Sequence, residues 1–132
     1  MEEEIVGSIQ VRKGFYHSAL LFATSKRFIV AWVFHPKFRW RYLIPALPGV
    51  IAMLRKLRKL EGLSPDAILN DNADNFGIPF SDVREVRIQG LLMQTIVLAT
   101  TKAEHRFHMS RGERNYFEHQ IQPHLVDKVP IR

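Results

Sequence analysis

Residues 18–34, SALLFATSKRFIVAWVF, place two apolar runs on either side of the polar pair Ser25-Lys26. Each run is short, rich in β-branched and aromatic residues, and bounded by turn formers, which favours strand over helix. A hairpin here implies an antiparallel sheet, and the neighbouring segments extend it. EIVGSIQV (4–11) reads as an earlier strand, with Gly14 in the turn that follows. After the hairpin, His35-Pro36 interrupts the pattern, because proline holds its predecessor out of the helical region and supplies no amide donor. KFRWRY (37–42) then alternates base with aromatic. In extended form it would show Lys37, Arg39 and Arg41 on one face and Phe38, Trp40 and Tyr42 on the other. The expectation is an edge strand with its aromatic face buried.

The character changes after Pro48-Gly49. In VIAMLRKLRKLEGL (50–63), a helical period gathers Val50, Ile51, Met53, Leu54, Leu57 and Leu60 on one side. Arg55, Lys56 and Lys59 fall on the other side, with Arg58 at the border, and Gly62 is a stop signal. LSPDAILNDN predicts a second, short helix: Ser64 as N-cap, Pro65 at the first position and Asp66 near the positive end of the dipole.

Strands resume at 76–80, 83–89, 91–101 and 104–109. A turn or bulge is expected near Ser81-Asp82, and a hairpin turn at Thr101-Lys102-Ala103. Ser110 and Glu113 have the S-x-x-E spacing of a reciprocal capping box and open a closing helix over 111–126. Phe117, Ile121 and Leu125 give that helix a buried stripe, and Pro123 should kink or shorten it. The order is three strands, a basic helical insertion at about 46–75, four strands and a helix. That fits a mainly β (α+β) fold: a bent antiparallel sheet or barrel of about seven strands, capped by its C-terminal helix.

At 132 residues a single domain spanning 1–132 is expected, and 46% hydrophobic with 24% charged residues is ordinary for a soluble globular chain. The absence of cysteine excludes thiol catalysis, disulfides and cysteine-based zinc sites. MEEEIVGS does not read as a signal peptide, and neither FIVAWVF nor LIPALPGVIAML reaches the roughly 18 residues of a spanning helix. The expected location is the cytoplasm, with peripheral attachment at the inner face of the membrane as the alternative. Net charge is +6, and residues 37–62 alone hold seven bases against one acid, so the rest of the chain balances. Charge focused in this way suits an anionic partner.

No segment carries convincing chemistry. His105 and His108 are three residues apart on a strand, so they face opposite sides, a poor arrangement for one metal. Asp71, Asp74 and Asp82 read as helix-end and turn residues. No glycine-rich phosphate loop or nucleophile elbow is present. No catalytic, cofactor-binding or metal residue is expected.

LLFATSKRFIVA (20–31) resembles the L-x-x-T-x-x-R-L-I hairpin of pleckstrin-homology-like (PH-like) domains, above all the GRAM and bacterial PH types. IPFSDVREVRI (78–88) is similar to the I-P-x-x-D-I-x-x-I segment of the same families, and LSPDAILNDNADNFGIPFSDV to a run in uncharacterised prokaryotic PH-like proteins. The resemblance covers about two thirds of the chain and leaves 35–62 unaligned. It implies a non-enzymatic binding module. The basic pattern of phosphoinositide-binding members is missing around the first two strands, and the closing helix has no tryptophan, so no specific phosphoinositide site is expected.

The basic segment therefore bears the functional expectation. Its apolar residues Val50, Ile51, Leu54, Leu57 and Leu60 suit a protein partner or self-association. Its bases Lys37, Arg39, Arg41, Arg55, Lys56, Arg58 and Lys59 suit an anionic membrane surface as the alternative. Single-stranded nucleic acid, stacked on Phe38, Trp40 and Tyr42, is a third reading.

Overall fold

A computed structural model describes residues 3–13, 17–32, 62–71, 73–91 and 93–132, with only the backbone of His17. Among the described residues, seven antiparallel strands form one open sheet: β1 (Ile5–Lys13), β2 (His17–Thr24), β3 (Arg27–Trp32), β4 (Phe76–Pro79), β5 (Val83–Gln89), β6 (Gln94–Thr100) and β7 (Glu104–Met109). Their spatial order is β4-β3-β2-β1-β7-β6-β5. Helix α1 (Pro65–Asn70) precedes β4, and α2 (Arg111–Tyr116) follows β7. The sheet is open, which corrects the closed-barrel alternative: its end strands β4 and β5 do not pair with each other.

The β2–β3 hairpin turns at Ser25-Lys26 as expected, because the Thr24 hydroxyl accepts the amides of Lys26 and Arg27 at 3.1 and 3.0 Å. Thr100 repeats the device at the β6–β7 turn, accepting from Lys102 and Ala103. The bend near Ser81-Asp82 is a 3₁₀ turn over Phe80–Asp82, followed by a register shift between Val83 and Glu85. It drops Phe80 edge-on against Phe28, with ring centroids 5.1 Å apart.

One core fills the inner face of the sheet, from Ile9, Leu21 and Phe28 to Ile96, Leu98 and Phe107. β3 is buried on both faces, which explains why FIVAW shows no polar alternation. Leu20, Phe22, Ile29 and Ala31 form a second cluster with Ile68, against which Leu63 and Leu69 pack. Ser64 caps α1 through its hydroxyl, and Asn75 ties the helix down by donating to Ile68 O and accepting from Trp32 N. Arg27 joins the same corner, reaching Glu3 at 2.9 Å and Asp66 at 2.7 Å. The hydrogen bond to Asp66 is the main influence raising its pKa, with partial burial opposing and Glu3 adding. Asp66 is largely exposed, so the half-buried Glu3 pair is the stronger mechanical tie.

The closing helix is less regular than its period suggests. α2 ends at Tyr116, a π-helical turn runs over Phe117–Ile121, and a 3₁₀ turn over Gln122–His124 contains Pro123. Proline lacks an amide donor and crowds the carbonyl four residues back, so a regular α-helix cannot pass through it. Phe117, Ile121 and Leu125 are nevertheless all buried, at 1%, 1% and 0% exposure. Ile121 lies so close to β1 that a Cβ on Gly7 would stand 2.9 Å from its Cγ1. The tail then adds to the outer edge of β5 as a parallel bridge, Val86 opposite Ile131, with Val86 N donating to Pro130 O at 2.8 Å. This covers an edge that would otherwise offer unpaired amides.

Candidate binding surfaces

All the candidate contact residues of the basic segment, Lys37, Arg39, Arg41, Arg55, Lys56, Arg58 and Lys59, lie outside the described residues, as do Val50, Ile51, Leu54, Leu57 and Leu60. So does the first part of the expected insertion at 46–75. Two other surfaces can be built from side chains, and both arise where α2 meets the sheet.

The first is a seam. β1 and β7 pair only at Arg12 and His108 before they splay apart. The amide of Gln10 would face this gap without a strand partner, and Glu113 supplies one: Gln10 N donates to Glu113 Oε2 at 2.9 Å. Ser110 does cap α2, accepting from Glu113 N at 3.1 Å. Half of the expected capping box therefore holds, while the carboxylate serves the neighbouring strand. A shallow cleft of about 350 Å³ opens there, lined by Ser8, Gln10, Glu113 and Tyr116. Its one carboxylate is engaged by Gln10 N, and nothing in it resembles a nucleophile with its base.

The second surface is the β5–β6 tip. Strand β6 starts at Gln94, three residues later than its apolar run suggests, so Leu91 and Met93 belong to the turn. They are 87% and 63% exposed, the two highest values among the exposed large apolar side chains described. Gly90 has φ of +108°, and a Cβ there would sit 1.9 Å from Met93 O, so only glycine permits this path. Side chains hold the tip from below. Leu91 O accepts from Gln94 Nε2 at 3.0 Å and from Arg111 Nη2 at 3.4 Å. Gly90 O accepts from Arg114 Nη1, which also reaches Gln94 Oε1, while Arg114 Nε pairs with Glu118 at 3.0 Å. Arg111 is exposed, and no carboxylate among the described residues pairs with it.

The outer face of β5–β7 carries a charge lattice. Arg87 reaches Glu104 at 2.6 Å and Glu85 at 3.5 Å, and Arg132 meets Glu85 at 3.1 Å. Arg87 and Arg106 flank Val97 in register, so their alkyl stems stand on either side of an apolar residue on an otherwise polar face. Arg87, Arg106 and Arg132 each have a carboxylate within 4 Å, while the buried Arg87 Nε makes no hydrogen bond.

The histidine pair behaves as its spacing implies. His105 stands on the inner face beside Phe76, ring centroids 5.3 Å apart, while His108 Nδ1 lies 3.4 Å from Thr95 Oγ1. Burial, and then the charge of Lys13, lower the pKa of His105. Asp74 accepts the Trp32 indole N–H through its backbone, and Asp71 closes α1. Among the described residues no cluster of three His, Cys, Asp or Glu could hold a metal ion, and no helix is long and apolar enough to cross a membrane.

The tip is hidden within an apolar run that reads as strand, although GLLMQ (90–94) holds a signal: three consecutive large apolar residues after a glycine, where a hairpin must turn. No protein-family model matches the chain, and comparisons with curated proteins and with solved structures gave no match.

Proposed function

We propose that the chain is a PH-like binding module that performs no chemistry of its own and acts by contact with a protein partner or with a second copy of itself. The observation that carries this reading is a seven-strand antiparallel sheet whose inner face is filled by a C-terminal helix, the architecture implied by the resemblance of its hairpin and IPFSD segment. The β2–β3 half is already buried on both faces, inside in the core that also holds Phe117 and Ile121 and outside with Leu63, Ile68 and Leu69. That supports assigning the apolar stripe Val50, Ile51, Leu54, Leu57 and Leu60 to an intermolecular contact. Two copies could bury their stripes against each other while Lys56 and Lys59 stay in water. Light scattering on wild type and on Leu54→Glu/Leu57→Glu tests it. A dimer that becomes a folded monomer is the expected result; a monomeric wild type whose double mutant unfolds would place the stripe in the core.

The charge concentrated in 37–62 favours a second reading, peripheral binding to an anionic membrane. Vesicle sedimentation with Arg55→Glu, Lys56→Glu and Lys59→Glu combined should then show weaker binding to anionic lipid. Equal binding of wild type to neutral vesicles would end this reading, and salt-dependent binding to an oligonucleotide without a lipid response would favour nucleic acid.

A further inference from the structure

The β5–β6 tip sets a physical puzzle: Leu91 and Met93 stand in water at 87% and 63% exposure, on a turn that polar side chains hold in place. Gln94, itself only 4% exposed, clamps Leu91 O, and Arg111 and Arg114 reach the carbonyls of Leu91 and Gly90. Gly90 permits the turn, since any Cβ there would collide with Met93 O. Such an arrangement fixes two large apolar side chains outward instead of letting them fold back.

We propose that this tip is a membrane anchor, inserting Leu91 and Met93 into the interfacial layer of an anionic bilayer while Arg111 meets the lipid phosphates at its base. Two observations favour a bilayer over a protein. Two exposed apolar side chains, Leu91 and Met93, fall far short of the roughly 800 Å² per partner that a stable protein interface buries. A fluid lipid surface, in contrast, accepts a small protrusion and rewards each apolar group that leaves water. Arg111 donates to Leu91 O through Nη2 at 3.4 Å and has no carboxylate partner among the described residues, so its other N–H groups can meet a phosphate just below the inserted side chains. The inference uses no residue of 37–62 and goes beyond the contact assigned to that segment.

The chain contains no cysteine, so a single introduced thiol can be labelled cleanly. Leu91→Cys and, as a control on the β6–β7 turn, Lys102→Cys would each carry an environment-sensitive fluorophore. They would be mixed with vesicles of phosphatidylcholine alone or of equimolar phosphatidylcholine and phosphatidylglycerol, with and without a quencher on the acyl chains. The anchor is supported if the label at 91, and not at 102, shifts to the blue and is quenched on anionic vesicles only. Leu91→Asp/Met93→Asp should weaken vesicle binding by roughly tenfold or more, the scale of losing one buried apolar side chain, and Arg111→Glu should weaken it on anionic vesicles. Circular dichroism and melting temperature check that these variants fold. A label at 91 that stays silent while the protein sediments with vesicles overturns the anchor but leaves surface binding by 37–60 standing. Absence of vesicle binding overturns it outright, whatever light scattering says about self-association. A change of oligomeric state in folded Leu91→Asp/Met93→Asp overturns it in favour of a protein contact.

Discussion

Glu113 stands three residues after Ser110, the spacing of a reciprocal helix cap, and its carboxylate accepts the amide of Gln10 across 103 residues of chain. The local half of this geometry can be read from sequence, since an S-x-x-E step names its own cap. The distant half cannot, because it depends on how far β1 and β7 splay. Glu113→Ala should leave Gln10 N–H without its acceptor and lower stability by about 1–3 kcal/mol, toward the lower end because the seam is only partly buried. Glu113→Gln keeps an acceptor oxygen and should lose less. Chemical denaturation of both variants measures the difference; an unchanged Glu113→Ala would mean that water serves the amide equally well. Leu91 and Met93 make the same point about sequence in another way. Their apolar character suggested strand, yet Gly90 and the buried Gln94 decide that they turn outward, and neither residue advertises that role in a one-dimensional pattern.

Among the elements, hairpins and helix starts were legible because their signals sit within four residues of one another. Ser64 with Ala67 forms the bond its spacing implies, and the two hairpins turn where polar breaks interrupt the apolar runs, held there by the Thr24 and Thr100 hydroxyls. The closing helix was legible in its buried stripe and not in its backbone. Phe117, Ile121 and Leu125 recur every four residues, but a π turn and a 3₁₀ turn carry them, because Pro123 prevents the α-helical ladder from continuing. Burial of that stripe still dominates the energetics. Phe117 is 1% exposed in the middle of the inner core, so Phe117→Ala should cost about 3–5 kcal/mol by the combined loss of transfer energy and the cavity left behind. Thermal and denaturant unfolding would measure it. A loss below about 1 kcal/mol would show that the π turn collapses into the vacated space, since the cost depends on how far a site relaxes. Gly7 sets a limit from the other side, where the 2.9 Å approach of Ile121 leaves room for a methyl group only if that side chain gives way.

At the scale of the whole molecule, the bend of the sheet brings together strands that are not neighbours in it. β4 and β7 are separated by β3, β2 and β1, yet Phe76 of β4 lies against His105 of β7. The contact places an imidazole partly out of water and near Lys13, and both effects favour its neutral form, burial being the larger. The sign of the stability effect follows from linkage. With its folded pKa below the ordinary value near 6.5, His105 is neutral in both states at higher pH and contributes no pH dependence there. As pH falls below that value, the unfolded chain binds the proton first, so unfolding gains and the fold loses stability until the folded pKa is also passed. Melting temperature should therefore drop as pH falls through the ordinary histidine value near 6.5. His105→Gln removes the titrating ring and should flatten that slope, even if it lowers stability at pH 7 by losing the contact with Phe76. His108→Gln, on the outer face, provides the comparison at a site that does not bridge the two halves. If His105→Gln and wild type lose stability in parallel over this range, the acid sensitivity belongs to other groups, and the bend is not held by a histidine that must stay neutral.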